Sequence, residues 1–186
     1  MNQKLCCLTL INILLSSSLY AQRAKPGILG MKAPKWSVDQ WINLKGQKDK
    51  IDISDFKGKV IYLYCFQSWC PGCHKYGFPT LQKMVDKYGK DDKVALVAVQ
   101  TVFEGASFNT PDKAWQTAKK YGLKIPIGHA GKEGKYPALM KNYRTGGTPW
   151  VVIIDRQGRV RFNDYHVDPK GAIKFLAQLK EEKGKE

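Results

Sequence analysis

Between residues 60 and 66 almost every side chain is apolar, and the run ends just before two cysteines, Cys70 and Cys73, placed where the next helix should begin. A continuous apolar run of this length predicts a strand covered on both faces, as in a parallel or mixed sheet. Downstream, Phe78, Leu81, Met84, Val85 and Tyr88 recur at helical spacing, Gly89 stands at the stop, and Pro79 predicts a kink one or two turns into the helix. Residues 94–99 form a second apolar strand. Asn109 or Thr110 can cap a helix over 112–121, closed by Gly122. Residues 125–127 read as a short strand, 129–135 as a glycine-rich loop and 138–143 as one or two helical turns. Gly146-Gly147-Thr148-Pro149 then breaks the helical pattern ahead of a third strong strand at 150–154. The turn Asp155-Arg156-Gln157-Gly158 folds Val160 and Phe162 back antiparallel, and a last helix from Asp168 buries Ile173, Phe175, Leu176 and Leu179.

Upstream of the first strand, Pro26, Gly27, Gly30 and Pro34 predict an extended lead-in. Trp36, Trp41, Ile42 and Leu44 predict a short hairpin that ends near Gly46 and caps an edge of the core. Ile51 and Ile53 alternate with polar neighbours before a turn at 55–59. Strand–helix alternation followed by a terminal hairpin and helix predicts an α/β fold. Its form is a three-layer α/β/α sandwich with a mixed central sheet and an N-terminal β-hairpin extension.

The first 21 residues stand apart. Lys4 gives a positive start, residues 5–15 are apolar apart from Thr9 and Asn12, and a stretch of serines leads to Ala21. This predicts a signal peptide cleaved after Ala21 and a mature domain over 22–186 with its core at about 30–180. The apolar run is short for a bilayer span, so membrane attachment would require the segment to stay uncleaved. Export places the chain in the periplasm or otherwise outside the cell, where disulfides persist. Cleavage would remove Cys6 and Cys7 and leave Cys65, Cys70 and Cys73.

The composition, 43% hydrophobic and 25% charged, is that of a globular protein. The net charge of +15 is spread along the chain without a dense block, and no nucleic-acid-binding motif accompanies it. The surplus reads as a solvated basic surface that favours acidic partners, not as a nucleic-acid site.

Two cysteines three residues apart at a helix start form either a redox device or a ligand set. The free N–H groups and positive end of the helix favour thiolate over thiol at Cys70, with a pKa in the range of about 3.5 to 7.5. Cys70 is therefore the candidate nucleophile. Cys73, one turn on and shielded, can attack a mixed disulfide formed at Cys70. Pro71 and Gly72 set the turn between them, and Pro71 has no N–H to lose at a helix start. Thr148-Pro149 before a strand is a candidate cis peptide that would present Thr148 backbone groups to an extended substrate. Cys65, in the strand, reads as a small core hydrophobe.

Trp69-Cys70-Pro71-Gly72-Cys73 after a strand, Thr148-Pro149 before one and Asp155-Arg156-Gln157-Gly158-Arg159 after it together resemble the thioredoxin fold. Ala33-Pro34-x-Trp36 followed by Asp55-Phe56-Lys57-Gly58-Lys59 resembles the exported TlpA-like branch of the redoxin (AhpC/TSA) group. The resemblance covers roughly residues 30 to 180. It implies a thioredoxin-like domain with thiol-disulfide oxidoreductase activity, Cys70 and Cys73 as its redox-active pair, and Pro149 as the cis-proline beside them. It implies no further cofactor. The partners would be protein thiols or disulfides and an upstream redox protein, with Trp69 on the docking surface beside Pro71, Gly72, Thr148 and Pro149.

The chain departs from its relatives in several places. Thioredoxins keep a buried Asp where Tyr64 stands, and several TlpA-like proteins keep an acid where Tyr76 stands. Glu104 is a candidate substitute, although a solvated loop glutamate is the simpler reading. Gln67 and Leu63 occupy the Thr/Ser and Pro positions of peroxiredoxins, which argues against direct peroxide reduction. Cys70-Pro71-Gly72-Cys73-His74 also matches the c-type haem attachment motif, which would make the chain an electron carrier. Exported thiol pairs with a distant histidine, here His129 or His166, can serve copper chaperones. His74 is otherwise an exposed helix residue, and His129 and His166 are surface residues of a loop or strand end.

Overall fold

The computed structural model describes residues 26–182 apart from 45, 47, 48 and 133. The signal peptide read at 1–21 lies outside the described residues. Strands β1 (Gln40–Trp41), β2 (Val60–Phe66), β3 (Val94–Thr101), β4 (Ile127–Ala130), β5 (Trp150–Ile154) and β6 (Val160–Asp164) form one sheet in the order β1-β4-β3-β2-β5-β6. The helices are α1 (Phe78–Tyr88), α2 (Pro111–Lys120), α3 (Ala138–Tyr143) and α4 (Pro169–Glu181).

β2 runs parallel to β3 and antiparallel to β5, so it is buried along its whole length. Its alternation sorts two cores. Val60, Tyr62, Tyr64 and Phe66 face α1, α2 and α4, together with Cys70 and Cys73. Ile61, Leu63 and Cys65 face the opposite layer, where Trp36, Leu139, Tyr143 and Trp150 pack. Strand periodicity alone places Cys65 on the far side of the sheet from the cysteine pair.

The lead-in serves both edges of the sheet. Its residues 40 and 41 pair with His129 and Gly128 of β4, and Lys32 bridges to Arg159 beside β6. The hairpin expected from Trp36 to Gly46 is thus, among the described residues, a single short strand whose partner is β4. Edge pairing with β4 satisfies backbone groups that a local hairpin would have used. The segment after it holds a 3₁₀ turn at Ile53–Phe56, where a turn at 55–59 is expected. Asp52 and Asp55 cap it reciprocally, and Asp52 also accepts from the Trp36 N–H at 2.8 Å.

Pro79 stands in the first turn of α1, behind a change of helix type. Residues Cys73–Gly77 are π-helical, and the Phe78 N–H donates to the Cys73 carbonyl. Proline cannot donate to the carbonyl one α-turn back, and the wider turn stands immediately ahead of it. β4 lies two residues later than the expected 125–127, which moves His129 from the loop into the sheet. Thr110 caps α2 and Asp168 caps α4, each accepting an N–H of the first turn.

Candidate functional site

Antiparallel pairing of β2 with β5 brings the C-terminal end of β2 beside the N-terminal end of β5, with Cys65 opposite Trp150. The chain leaving β2 reaches Cys70, and the chain entering β5 carries Thr148-Pro149, whose peptide bond is cis. The Cys70 thiol meets the Thr148 carbonyl at 3.6 Å. Gly72 packs so closely on the proline that a β-carbon there would lie 3.2 Å from Pro149 Cδ.

The backbone N–H of Cys73 donates to Cys70 Sγ at 3.2 Å, and the Cys70 N–H donates to the Gln67 carbonyl at 3.1 Å. Cys70 and Cys73 are both thiols and are sharply unequal. Hydrogen bonding from Cys73, opposed by partial burial and reinforced by Thr148 and the Gly72 and Cys73 backbone, brings Cys70 down to about 6. Burial drives Cys73 far above the thiol range. Burial also pushes Cys65 up to about 12, as befits a core side chain. One sulfur is thus biased toward thiolate and the other toward thiol.

A buried polar lattice beneath the pair fixes this geometry. Gln67 donates to the Glu104 carbonyl at 3.0 Å and accepts from the Thr148 hydroxyl at 3.4 Å, so one side chain ties the two halves of the site together. Gln100, wholly buried, accepts from the Ser68 hydroxyl, and its amide nitrogen lies within hydrogen-bond distance of the Asn109 and Thr110 carbonyls and of His129 Nδ1. Asn109 in turn accepts from the Ser68 N–H at 2.9 Å. Pattern reading missed Gln67, Gln100 and Asn109. The available signal was polar residues closing apolar strands at the sheet end where α/β sites gather.

The remaining candidates sort cleanly. Trp69 is 48% exposed, its indole over the Gly105 turn and near the exposed Phe108. Glu104 is exposed, and only its carbonyl enters the lattice. His74 is not the exposed residue expected. It stacks on Tyr121, and its ring nitrogens meet the Ser68 carbonyl and the Tyr121 hydroxyl, both at 2.7 Å. His129 is likewise no surface residue, because Gln100 holds it in β4 and burial lowers its pKa. His166 lies against Tyr76. Among the described residues no three His, Cys, Asp or Glu side chains converge on one point.

Tyr64 and Tyr76, at the two positions where the resemblance implies acids, part company here. Tyr76 is exposed. Tyr64 is fully buried, stacked with Phe66 at 5.9 Å and edge-on to Phe78 at 5.3 Å, and its hydroxyl lies beside Cys73 and Gly77.

Comparison with known proteins points the same way. The Redoxin family profile matches residues 29–179. Thiol-disulfide oxidoreductase ResA of Bacillus thuringiensis subsp. konkukian is 30% identical over 71% of this chain, which spans 66% of that relative, just under two thirds. ResA of Bacillus anthracis is 28% identical over 81% of this chain and 76% of its own length. Among solved structures, a thioredoxin-like superfamily protein superposes with a TM-score of 0.74 at 33% identity, covering 83% of this chain and 99% of that one. A thiol-disulfide isomerase from Corynebacterium glutamicum gives a TM-score of 0.70 at 31% identity, covering 81% and 98%.

Proposed function

The chain belongs to the redoxin family, and from that premise we propose that it is an exported thiol-disulfide oxidoreductase acting on protein partners. Cys70 exchanges with a partner's disulfide or thiol and Cys73 resolves the mixed disulfide, so that two electrons pass between the pair and the partner. The observation that carries this reading is the inequality of the two sulfurs. Cys70 accepts the Cys73 N–H at 3.2 Å and is brought down to about 6, while Cys73 is sealed in the core.

The arrangement accounts for the other site residues. An extended substrate would lie against Thr148 and Pro149, with Trp69, Pro71 and Gly72 at the rim. The pair needs no further cofactor. A haem reading has less support, since both ring nitrogens of His74 are engaged by Ser68 and Tyr121. A copper reading with a distant histidine has less support, since among the described residues no such group joins the two sulfurs. Export to the periplasm or another oxidising compartment rests on the leader-like start of the sequence, and membrane attachment would follow only if that segment is retained.

Reduction of a disulfide-bonded protein by the pre-reduced chain tests the reading. Cys70→Ser should abolish turnover, and Cys73→Ser should accumulate a mixed disulfide with substrate. Undiminished turnover by Cys70→Ser would overturn it. The reduction potential of the Cys70/Cys73 couple then decides whether the protein donates electrons or supplies disulfides.

A further inference from the structure

Cys73 is fully buried, so the thiolate it must become during resolution cannot be solvated by bulk water. An uncompensated buried charge is costly, and the position from which thioredoxins bring a carboxyl group carries a tyrosine here. The Tyr64 ring is locked between Phe66 and Phe78, and its hydroxyl is aimed at the turn that holds Cys73. Space for the hydroxyl exists because residue 77 is glycine. A methyl group there would overlap the oxygen and stand 2.6 Å from ring carbon Cζ. The hydroxyl is completely buried and makes no hydrogen bond of acceptable geometry, although it lies close enough to Cys73 for each group to feel the other.

We infer that the Tyr64 hydroxyl is the hydrogen-bond donor that Cys73 uses when it becomes a thiolate and attacks the mixed disulfide. The inference rests on the thiol-disulfide reading above. Tyr64 is not a base, because burial and the neighbouring Cys73, Tyr62 and Cys70 keep its proton on. It supplies a donor that is idle toward a neutral thiol and engaged by a charged one, alongside the Gln67 backbone. In the step itself the Cys73 proton leaves to water and the Cys73 sulfur bonds to Cys70 Sγ. The bond between Cys70 and the substrate sulfur breaks, and the departing substrate thiolate takes a proton from water. The pair is oxidised and the substrate disulfide is reduced.

The experiment uses an aromatic disulfide that releases a coloured thiolate, mixed with the reduced chain in a stopped-flow instrument. Attack by Cys70 releases the first thiolate, and resolution by Cys73 releases the second. Tyr64→Phe should leave the first phase unchanged and slow the second roughly tenfold, the value of one donor to a charged group. The second phase should keep that deficit across the pH profile below the range where Cys73 ionises unaided. Tyr62→Phe is the control, since Tyr62 has an equally buried and unpartnered hydroxyl in the same strand. Equal second phases in Tyr64→Phe and the native chain would overturn the inference alone, as would a Tyr64→Phe chain that fails to fold or a Tyr62→Phe chain that is slowed as much. A native chain with no second phase would overturn the functional reading and the inference with it.

Discussion

The Cys73 N–H reaches Cys70 Sγ at 3.2 Å, so the second cysteine stabilises the first as a thiolate through its thiol and also its backbone, while its own sulfur stays protonated. Alkylation of the reduced protein should therefore proceed through one fast thiol with a midpoint near pH 6. The fast phase should vanish in Cys70→Ser. Mass spectrometry of the modified peptide would place the label, and a label on Cys73 below pH 9 would contradict the assignment.

The same inequality shapes stability. Cys70 has a folded pKa of about 6 against an ordinary 9.0, so between those values the unfolded chain binds the extra proton and stability rises with pH. The contribution is complete above pH 9 and is lost as pH falls through 6. Buried neutral His129 acts in the same direction on acidification. Cys73 and Cys65 have raised folded pKa values, so above pH 9 their contributions are lost as pH rises. Denaturant midpoints of the reduced chain should climb from pH 6 to 9, and Cys70→Ser should flatten that climb.

Gln100→Ala should cost about 3 kcal/mol, because it removes several buried hydrogen bonds and leaves Asn109, Thr110 and His129 with unmatched groups. Urea unfolding at neutral pH measures it. The attack rate of Cys70 should fall with it, since Ser68 loses its anchor ahead of the pair.

Trp69→Ala should separate binding from folding. The side chain is 48% exposed, so stability should change by no more than about 0.5 kcal/mol. KM for a protein disulfide should rise several-fold while the reaction with a small disulfide stays as it was. Parallel kinetics on the two substrates would show the split.

Gly77→Ala should destabilise by about 1–3 kcal/mol, the usual cost of overpacking, because its methyl group would collide with the Tyr64 hydroxyl. Thermal unfolding beside the native chain would register this.

Much of this site is legible in the sequence. The apolar run of β2 announced a doubly covered strand, the cysteine spacing announced the pair, and Thr148-Pro149 announced the cis bond that lies beside it. Local chemistry writes such features into adjacent residues. The lattice of Gln67, Gln100 and Asn109 was not legible, because its members come from separate elements and meet only through sheet register. Trp36 to Gly46 misled for the same reason. The partner of its short strand lies near residue 128, which no local pattern reveals. His129 followed that error, since it was read as loop until β4 claimed it.

The alternation of β2 also governs electron traffic. Because Cys65 and the pair occupy opposite faces of the sheet, a third sulfur stands five positions from the nucleophile yet is screened from it by a layer of backbone. On the proposed function, oxidising equivalents arriving at Cys70 would have Cys73 as their outlet within the described fold, and the couple would work as a closed two-electron circuit. A slip of one residue in β2 would turn Cys65 toward the pair and open a shunt. Strand register would thus guard the fidelity of the proposed exchange as well as the packing of the core.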